Sequence, residues 1–171
     1  MQSESARVTT AQEAKYRVQY PNSKRRAVKV IALDAPSAEM IDELAKKEWN
    51  GATFFRALSF ASKAAPGTTD EGMSAWLNDL AGRALDLVGE VATADFVVVV
   101  SAAGEDARSV SVIAEACTAH HKTLVALVVP REGASDADVS ASMAHLRPFA
   151  RMLVIAHDAD YITAMLTALR A

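Results

Sequence analysis

Ala94-Asp95-Phe96-Val97-Val98-Val99-Val100-Ser101-Ala102-Ala103-Gly104-Glu105-Asp106-Ala107-Arg108 is the stretch that decides the fold. Phe96 to Val100 is apolar without alternation. Branching at Cβ suits a pleated surface, and an unbroken apolar run marks a strand buried on both faces, as in the centre of a parallel sheet. Ser101 to Asp106 break that pattern and predict a loop, with Gly104 allowing a tight path. Val110, Ile113, Ala114 and Cys117 then recur at the spacing of one helix face. Asp106 and Ser109 are candidate caps for that helix. A loop between a parallel strand and a helix N-terminus is where open α/β sheets bind anions, because free N–H groups and the helix dipole meet there.

On either side of this stretch, strands are predicted at 28–33, 52–58, 123–129 and 152–156, and helices at 38–48, 136–146 and 161–169. Residues 73–91 also predict a long helix, with Trp76, Leu77, Leu80, Ala84, Leu87 and Val88 on its apolar side. Ser59 to Gly72 reads as a long loop with a Pro66-Gly67 turn. Residues 1–24 read as a polar arm or, through the alternation of Tyr16, Val18 and Tyr20, an edge strand. Residues 25–171 read as one α/β domain. Alternating strands and helices imply a three-layer α/β/α sandwich with a mainly parallel five-stranded sheet, Rossmann- or flavodoxin-like. The expected order is 2-1-3-4-5 in the numbering of these five strands. The switch between the first and third strands would then lie under Asp34 to Ser37 and Ser101 to Arg108.

Composition narrows the function. With 51% apolar and 23% charged residues, the 171-residue chain has the make-up of a globular protein, not a disordered one. A net charge of -3 gives no reason to expect nucleic acid or an anionic membrane as partner. The basic run Lys24-Arg25-Arg26 reads as a solvated lead into the first strand. The single cysteine, Cys117, falls on a predicted apolar helix face and reads as a core residue. No apolar run is long enough to span a membrane, Met1 to Thr10 lacks a signal-peptide core, and a cytoplasmic location is expected.

The predicted ligand edge carries Asp34, Ser37, Ser101, Gly104, Glu105, Asp106, Arg108, His157 and Asp158. No catalytic residue, metal site or cofactor is assigned from the sequence. The loop after Leu33 has no glycine and the loop after Val100 has one, whereas a backbone wrapping a di- or triphosphate usually needs several. Glu105 and Asp106 would also repel phosphate unless a metal or Arg108 intervened. Asp34, Glu105, Asp106 and Asp158 could converge on a divalent cation. The plainer expectation is that Asp106 and Asp158 cap helices, Asp34 ends a strand and Glu105 is solvated. Ser101 and Ala102 stand where a receiver domain would place its phospho-acceptor carboxylate. Ser101 has no G-x-S-x-G elbow and reads as a hydrogen-bonding serine.

Several passages resemble the nucleotide-binding domain of the tubulin/FtsZ family. Ala94 to Val100, Ser111-Val112-Ile113-Ala114-Glu115-Ala116 and Thr123 to Pro130 are similar to its strand, its helix after the phosphate loop and its next strand. Met143 to Asp158 looks like its later helix and strand, and Ala27 to Leu33 like its start. The resemblance covers about half the chain and implies a degenerate, non-hydrolysing relative. The Gly/Thr-rich phosphate loop would fall at Ser101 to Arg108, where there is one glycine and no threonine. The 171 residues also hold no counterpart of that family's C-terminal activation domain. Ser101 to Asp106 is similar, too, to the phosphate loop of sugar isomerase domains. Two readings follow: a non-catalytic binding or interaction module, joined by a protein partner or a second copy, with Trp49, Phe54, Phe55 or Phe60 as surface candidates beside their commoner core role; or a protein or enzyme that takes a phosphorylated or carboxylated small anionic ligand at residues 101–108.

Overall fold

The apolar runs at 28–32, 52–56, 96–102, 123–129 and 152–155 form strands, and the periodic segments at 35–45, 110–119, 136–146 and 159–168 form helices. The structure, a computed structural model, describes residues 24–57, 76–79 and 84–171, with backbone alone for 76–79 and 84. In chain order the elements are β1 (Val28–Ala32), α1 (Ala35–Ala45), β2 (Ala52–Arg56), β3 (Trp76–Asp79), β4 (Ala84–Asp86), α2 (Leu87–Ala92), β5 (Phe96–Ala102), α3 (Val110–Ala119), β6 (Thr123–Val129), α4 (Asp136–Leu146), β7 (Met152–Ile155) and α5 (Ala159–Ala168). They build one sheet in the order β4-β3-β2-β1-β5-β6-β7. Its five parallel strands, β2-β1-β5-β6-β7, stand in the order expected from the sequence. This is an α/β sandwich of Rossmann/flavodoxin-like outline.

β5 is buried at all seven positions. Its alternate residues feed opposite layers. Val97 and Val99 join Ile31, Ala126 and Val128 on the face covered by α2, α3 and α4. Val98 and Val100 join Val30 and Leu127 on the face covered by α1 and α5. Burial of a Val or Leu side chain stabilises by about 1.5–3 kcal/mol, so this double-sided packing fixes the strand register. Phe54 and Phe55 are buried in these layers, and Trp49 packs on Phe54 with ring centroids 5.9 Å apart. The two phenylalanines take the core role, while Trp49 is half-buried at its margin; Phe60 lies outside the described residues.

The long helix expected over 73–91 is not formed. Trp76–Asp79 and Ala84–Asp86 are instead antiparallel strands that extend the sheet beyond β2. Asn78 and Asp79 are weak helix formers, and Gly82 would cost about 1 kcal/mol in a helix interior. Asp86 then starts a short helix by accepting hydrogen bonds from the N–H groups of Val88 and Gly89 (3.1 and 3.0 Å). Val88, expected on an apolar face, is exposed. The expected arm at 1–24, apart from Lys24, and the expected loop at 59–72 lie outside the described residues.

Candidate functional site

The carboxyl ends of β1 and β5 are adjacent and parallel, with Ala32 beside Val100. The chain leaves β1 for one side and β5 for the other, so their ends form the switch point of the sheet. Asp34 occupies it. Its backbone is extended and its side chain caps α1, taking the N–H of Ser37 at 2.8 Å. Ser37 answers by accepting from the Asp34 N–H at 3.2 Å, which completes a capping box. The second carboxylate oxygen accepts from the N–H of Ala102 at 2.9 Å. Asp34 is only 5% exposed, and Ser37 and Ser101 are fully buried. A buried carboxylate is tolerable here because two backbone donors and the positive end of α1 hold it.

Ser101 and Ala102 belong to β5 and not to the loop that was expected to start at Ser101. The Ser101 hydroxyl donates to the carbonyl of Ala102 at 3.3 Å. It is sealed from solvent and has no base as partner, so it is a packing serine and not a nucleophile. The turn runs through Ala103 and Gly104, the latter with φ +81°. Gly104 donates its N–H to Ser142 Oγ at 3.0 Å, and a Cβ there would meet Asp138 at 3.2 Å. The tight path is therefore set by contact with α4 as well as by the turn itself.

The charged residues of the loop are joined in pairs. Glu105 Oε1 lies 2.6 Å from Nη1 of Arg131, so it is paired and half-buried where a solvated side chain was expected. Asp106 takes Arg108 in a fork, with Nε at 2.8 Å and Nη2 at 2.6 Å on one oxygen. It also accepts the Arg108 N–H at 3.0 Å. This guanidinium holds the Asp106 carboxyl below its ordinary value, and the carboxylate raises Arg108 in turn. Asp106 does not cap α3, as had been expected. Ser109 stands at the cap position, in helical conformation and without a capping bond, and its Oγ is enclosed with no hydrogen-bond partner. An oxygen in a helical backbone conformation cannot swing back onto the first-turn N–H groups.

His157 and Asp158 follow β7, across two strand spacings from β5, or about 10 Å. Both are exposed, and Asp158 caps α5 through the N–H of Tyr161 at 2.9 Å, as expected. The structure thus gathers Asp34, Ser37 and Ser101, places Gly104, Glu105, Asp106 and Arg108 beside them, and leaves His157 and Asp158 apart. Among the described residues no three His, Cys, Asp or Glu side chains are grouped to hold a metal ion. Arg131, Asp138 and Ser142 complete the loop's surroundings and were not anticipated as site residues. Arg131 follows β6 at the same sheet edge, which was the available signal. The described hollows lie at the opposite, amino end of the strands, one of them lined by Arg25, Lys47, Trp49 and Arg170.

Among the described residues no helix is long and apolar enough to cross a membrane. No protein-family model matches the chain, and no curated protein matches it.

Proposed function

We propose that this chain is a non-catalytic α/β binding or interaction module of FtsZ-like outline, without GTP hydrolysis. The observation that carries the reading is the double engagement of Asp34 by Ser37 N–H and Ala102 N–H. In open α/β sheets the switch point offers its backbone donors to a ligand's anion. Here the protein's own carboxylate takes them. An incoming phosphate would meet Asp34, Glu105 and Asp106, while Arg108 and Arg131 are already engaged by two of those carboxylates. With both arginines paired, residues 101–108 hold no uncommitted cation for an anion.

The second reading, a small phosphorylated or carboxylated ligand at residues 101–108, is favoured by the unpartnered hydroxyl of Ser109 at the start of α3. A thermal-shift series with GTP, GDP, ATP, NAD and sugar phosphates, each with and without magnesium, separates the two. A ligand at about 100 times its Kd stabilises by about 2.7 kcal/mol. The module reading expects no shift with any of them. A shift with a guanine nucleotide would overturn it. A shift with sugar phosphate that disappears in Arg108→Glu would put the second reading in its place.

A further inference from the structure

We infer that β7 is a self-association edge, through which two copies of the chain pair antiparallel about a twofold axis at Val154 and join their sheets. The inference rests on the module reading and supplies its partner, a second copy of this chain. β7 ends the sheet, with β6 on one side and no strand on the other among the described residues. Natural edge strands are usually guarded by Lys, Pro or bulges, and Met152-Leu153-Val154-Ile155 contains none of these residues. Among the described residues four large apolar side chains stand exposed, and two of them are the first and last of β7: Met152 at 55% and Ile155 at 39%.

The register follows from the backbone. Ala156 N–H donates to Val128 O at 2.9 Å, in line with the parallel register that sets Ile155 beside Val128. Alternation then aims Met152 and Val154 at β6 and leaves the N–H and C=O of Leu153 and Ile155 on the open side. Two antiparallel copies satisfy these groups only when outward residues face each other. Leu153 of one copy then exchanges both bonds with Ile155 of the other, and Val154 faces Val154 on the axis. The same register sets the exposed Met152 against the small Ala156, and Ile155 against Leu153. It also brings the exposed Arg151 that precedes one strand toward the exposed Asp158 that follows the other. Apolar ends, free donors and charge are all self-complementary under one twofold operation.

A four-residue strand makes a small interface, below about 1,200 Å², so association is expected to be weak and concentration-dependent. Light scattering of the full chain from about 5 µM to about 500 µM, a span suited to weak complexes, should show the mass rise toward twice the monomer value. Ile155→Pro removes an outward N–H without touching the ladder to β6 and should hold the mass at the monomer value. Should that variant lose its circular dichroism, Met152→Lys with Ile155→Lys, both at exposed positions, carries the same test. Val154→Cys should form an intermolecular disulfide on mild oxidation, and Thr118→Cys, exposed on α3, should not. A wild-type monomer throughout the range, or a dimer indifferent to the edge variants, overturns the inference. These results are independent of the ligand series: a nucleotide shift in an edge-dependent dimer would sink the module reading alone, and no shift in a monomer would sink the edge alone.

Discussion

The Asp34 carboxylate bonds the backbone N–H of Ala102, 68 residues further along the chain, at 2.9 Å. The same side chain caps α1. One carboxylate therefore ties the ends of β1 and β5 together and starts a helix. Asp34→Ala should lose the cap, about 1 kcal/mol, and strand a buried N–H, about 1–3 kcal/mol, for a total of about 2–4 kcal/mol. Asp34→Asn keeps one acceptor and should lose about half of that. Urea unfolding midpoints measure both. Equal losses in the two variants would mean that the bond the asparagine oxygen retains contributes little.

Gly104 and Gly133 both adopt φ near +80° (+81° and +83°), but their surroundings differ. A Cβ at Gly104 meets Asp138 at 3.2 Å, whereas nothing lies within 4 Å of one at Gly133. Gly133→Ala should carry only the backbone penalty, about 1 kcal/mol. Gly104→Ala should cost more, about 2 kcal/mol, because α4 must also give way. Thermal melts of the two single variants, side by side, test the ordering. The reverse order would mean that the loop after β5 relaxes freely.

How much of this was legible beforehand depended on how much side chain lay behind each signal. Four valines in a row could only be a doubly buried strand, and the order of the five parallel strands followed from alternation and handed crossovers. Asp34 was identified as a switch-point residue, and it stands there, tied to both β5 and α1. The strands at 76–79 and 84–86 were hidden because an apolar pattern without a clean period also fits a helix, and the hairpin they form joins the sheet, among the described residues, only through Phe55 and Arg56 of β2. The loop partners Arg131 and Ser142 were hidden for a related reason. Each meets 101–108 only after β6 and α4 have packed, and no local spacing encodes that meeting. The ion pairing of Glu105 and Asp106 changes what the loop offers: two carboxylates read as free charges are neutralised by their arginines.

Acid should weaken the fold partly through α4. Asp138 accepts the N–H and the hydroxyl of Ser135 (2.9 and 2.8 Å), and these bonds hold its carboxyl below the ordinary value. The folded pKa is thus lower than the unfolded one. The stabilisation is full above the unfolded pKa of about 3.9 and is lost as pH falls through the lower, folded value. Comparing wild type with Asp138→Ala, the Tm gap should be widest near neutral pH and close as the pH drops below about 4. A gap that is constant down to pH 2 would assign the loss to packing and not to the charge.

Cys117 should be silent in the native protein. It is 2% exposed on the inner face of α3, and burial pushes its thiol up to about 11. Only the thiolate reacts readily, and at pH 8 a pKa of 11 leaves about a few hundred-fold less of it than a free cysteine carries. Exclusion of reagent by the core adds to that. Labelling with a thiol-reactive dye at pH 8 should therefore be slow, with a rate set by opening of α3, and should become fast in urea. Because Cys117 packs in the layer with Val97 and Val99, Val99→Ala should speed native labelling by loosening the same layer, while the exposed Arg108→Glu should leave it unchanged. Fast labelling of the wild type would mean that α3 detaches from the sheet under native conditions.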